Sequence, residues 1–199
     1  MGSKERIARL KEETKSNILN AALDIVKEEG WQSLSMRKIA EKIEYTAPII
    51  YEYFANKDGI LLELTRQGYV ILGKEVRKVM KDETTAAERL EAMWIAYWDF
   101  AFEHQELYQL MYGVDMNCCE VKKSLQEAEA LTNLFFDAIR DVMDDDNPAD
   151  DLVCRKFYTF WSIIHGLISI NIVNKGRGDQ MNQLILHDAI KGIIKYIND

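Results

Sequence analysis

Apolar side chains recur every three or four residues along almost the whole chain, and only two prolines, Pro48 and Pro148, occur in its 199 residues. That period puts apolar residues on one stripe of a helix, whereas a strand needs strict alternation. Proline removes a backbone donor and breaks a helix interior, so its scarcity leaves room for long helices. No alternating run bounded by turn residues competes. The pattern predicts an all-α fold.

The stripes set the expected elements. Ile18, Ala21, Ala22, Ile25 and Val26 mark a first helix over 14–29, ended by Gly30. Ser35 is placed to cap a short helix through Ile43, and Thr46 to cap a third with Pro48 in its first turn. Asn56 is placed to cap a fourth, running from Lys57 towards Lys81. After a polar break at 82–85, Leu90, Met93, Trp94, Tyr97, Trp98, Ala101 and Phe102 share one face of an amphipathic helix. A shorter helix is expected around 106–112, then an irregular stretch at 113–119. Val121, Leu125, Ala128, Leu131, Phe135, Ala138 and Val142 mark another long helix. An acidic connection at 144–151 leads to a helix over 152–174, a turn at Gly176 and Gly178, and a last helix over 180–197.

The net charge of -8 argues, taken alone, against nucleic acid as a partner. The charge is uneven, however. Residues 1–60 hold ten basic and ten acidic side chains, while 61–199 hold fifteen against twenty-three. A neutral first third can still present a basic face if the acidic bulk lies away from the phosphates. Cys118, Cys119 and Cys154 form no disulfide framework and read as reduced thiols of a cytoplasmic protein. Residues 1–15 are polar and charged, without an apolar signal region. The most apolar stretch, 157–173, is short for a membrane span and is interrupted by Thr159, Ser162, His165, Ser169 and Asn171.

The informative segment is 35–61, SMRKIAEKIEYTAPIIYEYFANKDGIL. It reads as a short helix, a tight connection, a second short helix and the cap of a third. Ile39, Ala40 and Ile43 would face Ile50 and Phe54 across the connection, and small Ala40 would let the helices approach closely. This is a helix-turn-helix, whose second helix can enter a DNA major groove.

Ser35, Arg37, Ile39, Ala40, Ile50, Tyr51, Phe54 and Lys57 stand in register with the pattern of the TetR/AcrR family of transcription regulators, which this chain resembles over about residues 10–65. Glu44 stands where the family often has glycine. A left-handed glutamate is costly, so the turn is expected to differ locally. The resemblance implies DNA contacts from Ser35, Met36, Arg37, Thr46, Ala47, Pro48, Ile49, Tyr51, Glu52, Tyr53 and Lys57. The recognition helix is poor in donors to bases. Ala47, Pro48 and Ile49 suit thymine methyl groups, and Glu52 can accept from cytosine N4. Affinity would then lean on phosphate contacts from Arg37, Tyr51, Tyr53 and Lys57. Tyr51 and Tyr53 also read as core aromatics. The run Lys4, Arg6, Arg9, Lys11 and Lys15 reads either as an arm along the DNA backbone or as a frayed, solvated segment.

The remaining length is aromatic. Trp94, Tyr97, Trp98, Phe102, Tyr108, Met111, Tyr112 and Met116 cluster in one helix and its successor, and Phe157, Tyr158, Trp161 and His165 add a second stripe. Such stripes read as plain core or as the walls of an apolar cavity. The resemblance implies an inducer pocket in this half. Its expected ligand-binding residues are Trp94, Tyr97, Trp98, Phe102, Tyr108, Met111, Tyr112, Phe157, Trp161 and His165. The run Trp161-Ser-Ile-Ile-His165-Gly166 resembles a Trp…His-Gly signature of one subgroup of the family's C-terminal domains. His165 reads as a ligand-orienting group or as a satisfied core histidine. Asp99, Glu103 and Asp115 near the aromatic set read as a solvated face or as partners of a cationic ligand. Ile163, Ile164, Leu167, Ile168 and Ile170 exceed what one monomer core needs, and the resemblance implies a homodimer through the last two helices.

These readings combine into one expectation. Residues 1–57 form a helix-turn-helix DNA-binding domain, and 58–199 form a helical ligand-binding and dimerisation domain. The expected function is a transcription regulator, most simply a repressor released from an inverted-repeat operator in double-stranded DNA by a small lipophilic or aromatic effector. No catalytic constellation, metal-ligand spacing or cofactor motif is visible, so neither an enzyme, a bound metal nor a cofactor is expected, and no membrane partner. The rival is a helical ligand-binding or protein-interaction module that no longer binds DNA.

Overall fold

A computed structural model describes residues 2–81, 85–113, 125–145, 147–174 and 178–197. Every regular element among the described residues is helical. They are α1 (Ser3–Glu29), a 3-10 turn (Trp31–Ser33), α2 (Met36–Lys42), α3 (Ala47–Tyr53), α4 (Lys57–Val79), α5 (Ala86–Glu103), α6 (Gln105–Tyr112), α7 (Gln126–Val142), α8 (Asp150–Asn174) and α9 (Asp179–Lys195). The chain divides into two compact units, Met1–Gln67 with Glu106–Lys123, and Gly68–Gln105 with Ser124–Asp199. Among the described residues no helix is long and apolar enough to cross a membrane.

In the first unit α1 buries Ile18, Leu19, Ala21, Ala22, Ile25 and Val26. It ends at Gly30, whose φ of 81° lies in the left-handed region and whose N–H donates to Val26 O. The first three turns of α1 carry Lys4 to Lys15, so this run is helical rather than frayed. The Ser35 hydroxyl caps α2 by accepting from the Lys38 N–H at 3.2 Å. Asn56 caps α4 through the Gly59 N–H at 2.9 Å. Thr46 occupies the cap position of α3, but its side chain makes no capping bond. Ile39, Ala40, Ile50, Phe54, Ile60, Leu61 and Leu64 are buried. Lys15 on α1 meets Glu63 on α4 at 3.4 Å, and Arg66 holds the same carboxylate at 2.7 Å. The Arg66 hydrogen bond, ahead of the Lys15 charge, keeps Glu63 below the usual carboxylate range.

In the second unit α5 starts at a reciprocal cap: Thr85 accepts from the Glu88 N–H, and Glu88 accepts from the Thr85 N–H. Its apolar face packs on α7 and α8, and α9 closes against α5 and α8. Trp94 sits at the centre, fully buried. It stacks on Phe160 at 5.3 Å and lies 4.4 Å from Phe135, 5.9 Å from Phe157 and 5.7 Å from Tyr97. Ring pairs of this kind add to the area they bury. Arg140 on α7 reaches Asp150 at the start of α8 at 2.9 Å and so clamps the acidic connection.

Candidate functional site

The helix-turn-helix is held by α1 against α2 and α2 against α3. The connection between α2 and α3 turns on Glu44, whose φ of 59° is left-handed. The expected local departure from the glycine geometry therefore does not occur: glutamate takes that geometry itself. Ile39 and Ala40 on α2 and Ile50 on α3 are all buried where the two helices meet, and the turn must follow that packing.

The turn leaves α3 with two faces. Ile50 and the following Phe54 point inward and are buried. Thr46, Pro48, Tyr51 and Glu52 are exposed, and Ala47, Ile49 and Tyr53 are half-buried beside them. Tyr51 is 55% exposed, too open for a core aromatic. Arg37 on α2 lies at the flank, with its Nε donating to Glu41 one turn along at 2.7 Å. That hydrogen bond, then the Glu41 charge, raises the already high Arg37 pKa. Two expected contacts sit differently. Met36 is buried in the unit and packs rather than reaching outward. The Lys57 ammonium donates to the Trp31 carbonyl at 3.0 Å, which ties α4 to the 3-10 turn. Lys38 and Lys42 pair with Glu29 and Glu28 on α1. Sequence reasoning passed over Glu41, although its i,i+4 spacing from Arg37 was the available signal.

The expected effector residues divide between the units. Tyr108, Met111 and Tyr112 lie on α6 of the first unit, where Tyr108 and Met111 are buried and Tyr108 and Tyr112 lie 5.2 Å apart. Trp94, Tyr97, Trp98, Phe102, Phe157, Trp161 and His165 belong to the second. Among these, Trp94 is core, and its indole N–H has no acceptor among the described residues. Trp161 Nε1 donates to the Tyr97 hydroxyl at 3.1 Å, joining α8 to α5. His165 stacks on Trp161 at 4.9 Å, and burial pushes its imidazole below the usual histidine range. Trp98 and Phe102, 4.8 Å apart, line a groove of about 380 Å³ between α5 and α9. Met116 and Asp115 lie outside the described residues.

α8 and α9 expose much of their apolar surface. Ile164 and Ile168 are buried, but Ile163, Ile170 and Val173 on α8 and Met181, Leu184 and Ile185 on α9 are exposed. These exposed apolar side chains fall at helical spacing on each of the two helices.

Comparison with known proteins agrees with the geometry. Residues 18–64 match the family profile described as bacterial regulatory proteins, tetR family, and residues 90–183 match a tetracyclin repressor-like C-terminal domain. The transcriptional activator FasR of Mycolicibacterium smegmatis is 27% identical over 131 residues, covering 65% of this chain and 60% of that protein. FadR of Bacillus halodurans, a fatty acid degradation regulator, has a similar solved structure: TM-score 0.71 at 14% identity over 92% of this chain and 93% of that one. So does the Thermus thermophilus repressor FadR in complex with lauroyl-CoA, with TM-score 0.61 at 17% identity over 92% of each chain. The two likenesses in structure speak to the fold, and the chain spans 60% of the length of FasR. With the N-terminal profile on the helix-turn-helix and the C-terminal profile on the helices from α5 onward, the chain belongs to the TetR family of transcription regulators.

Proposed function

We propose that the protein is a ligand-responsive, DNA-binding transcription regulator. It holds an inverted-repeat operator as a homodimer and releases it when a small lipophilic effector binds. The observation that carries this reading is the outward face of α3. A helix that buries Ile50 and the adjoining Phe54 but exposes Pro48, Tyr51 and Glu52, with Arg37 at its flank, offers side chains to base edges and phosphates at once. The exposed apolar residues of α8 and α9 supply the dimer surface, and a two-fold axis would present two recognition helices to two half-sites. The second unit's aromatic set supports a lipophilic effector. The naming of relatives for fatty acid control, and the lauroyl-CoA bound by the Thermus protein, favour one with a long apolar chain. Helix α4 is continuous from the DNA unit into the other, so an effector that favours one position of its second half also biases its first. An effector of equal affinity for both states would shift nothing.

On this proposal the bound dimer represses, and a reporter driven by the operator checks the sign, since FasR is named an activator. The primary test is anisotropy of labelled upstream DNA with wild type and an Arg37→Ala, Tyr51→Ala double variant. Both side chains are exposed, so the fold should survive. Wild type should bind in a salt-sensitive manner, and the variant at least about tenfold more weakly. Equal binding by the two proteins would reject the α3 face.

A further inference from the structure

The groove between α5 and α9 has a chemistry of its own. Its walls are Trp98, Asp99, Phe102 and Glu103 from α5 and Asn182 and Gln183 from α9. Asp99 and Glu103 stand one helical turn apart, where two like charges repel. Neither carboxylate has a basic partner at ion-pair distance among the described residues. The nearby His104 imidazole is turned to Glu75 at 3.5 Å. Partial burial, then the Glu103 charge, lifts the Asp99 carboxyl above the usual range. Glu75 is lifted by burial first, against the His104 charge, with Glu103 and Asp99 adding to the lift. Both Asp99 and Glu103 reach solvent at the groove, and with no basic partner at ion-pair distance their negative field is under-neutralised.

A second observation is independent of charge. Asn182 is only 8% exposed, yet its side-chain amide has no hydrogen-bond partner among the described residues, and it lines this groove. With no protein partner, the Asn182 amide opens to the groove and is left to water or to a ligand seated there. Phe102 is 40% exposed beside the buried Trp98, so the same groove offers aromatic surface to an apolar body.

We propose that this groove binds an organic primary ammonium ion, with the cationic head donating to Asp99, Glu103 and the Asn182 carbonyl and the apolar body lying on Trp98 and Phe102. A primary ammonium has three donors to match these three acceptors, and a cation over aromatic faces gains further attraction. At about 380 Å³ the groove is the size of a small-molecule site. An anionic acyl thioester would be repelled here, so this site goes beyond the effector reading and shares with it only Trp98 and Phe102.

Titration calorimetry of the full chain with phenethylamine, against its neutral counterpart 2-phenylethanol, tests the site without DNA. The amine should bind saturably at one per chain, and the alcohol at least about tenfold more weakly. In an Asp99→Asn, Glu103→Gln double variant the amine should lose at least about tenfold and the alcohol should be unchanged. That variant removes a repulsion, so its thermal midpoint should not fall, which separates loss of the site from loss of the fold. Equal affinity for amine and alcohol, no amine heat at millimolar concentration, or full affinity in the variant would each overturn the proposal. So would binding of zinc ion alone through Glu75, Glu103 and His104 with no amine response. Because no operator is present, failure of DNA binding and failure of this site are read separately.

Discussion

Glu44 shows how a single residue carries the conflict between local preference and tertiary demand. A left-handed non-glycine costs roughly 1–2 kcal/mol, and glycine there would cost part of that back as unfolded-state entropy. Glu44→Gly should therefore raise stability by up to about 1 kcal/mol in denaturant titration and leave DNA binding intact. A loss of stability would mean that the Glu44 side chain does something beyond filling the turn.

Pairs of helices carry the next effect. The stack of His165 on Trp161, which in turn donates to Tyr97, joins α8 to α5. Burial holds the folded-state imidazole below its usual value, so in that window the unfolded chain binds more protons. This contribution is full above the ordinary histidine pKa of 6.5 and is lost as pH falls below it towards the folded value. His165→Gln should flatten the pH dependence of unfolding free energy between about pH 7 and 5, followed by circular dichroism. If wild type and variant keep the same slope, burial of His165 is not what sets it.

For the whole molecule the decisive quantity is assembly. Ile170 and Leu184 are 57% and 55% exposed, so charges there should spare the monomer fold. On the proposed reading, Ile170→Glu with Leu184→Glu converts a dimer to a monomer in sedimentation velocity. It also weakens operator binding by at least about tenfold, because two half-sites are no longer held by one particle. A wild type that sediments as a monomer at micromolar concentration would remove the dimer reading.

The all-α fold was legible in the sequence because helix period and proline scarcity are local properties, written in the order of the residues. The helix-turn-helix was legible for the same reason: Ile39, Ala40, Ile50 and Phe54 lie within sixteen residues of one another. Caps by Ser35 and Asn56 followed from spacing alone. Tertiary packing decided the rest. Sequence period cannot distinguish a buried aromatic from one lining a groove, because both occupy the apolar stripe. Only packing against Phe135, Phe157 and Phe160 makes Trp94 core, while Phe102, two turns later, stays open to solvent. Met36 and Lys57 were both expected to contact DNA, yet packing buries one, and a carbonyl 26 residues away holds the other. The meeting of Asp99 and Glu103 with Asn182, some eighty residues later in the chain, had no local signal at all. A short-range pattern fixes which face of a helix is apolar. What that face meets depends on elements the pattern does not contain.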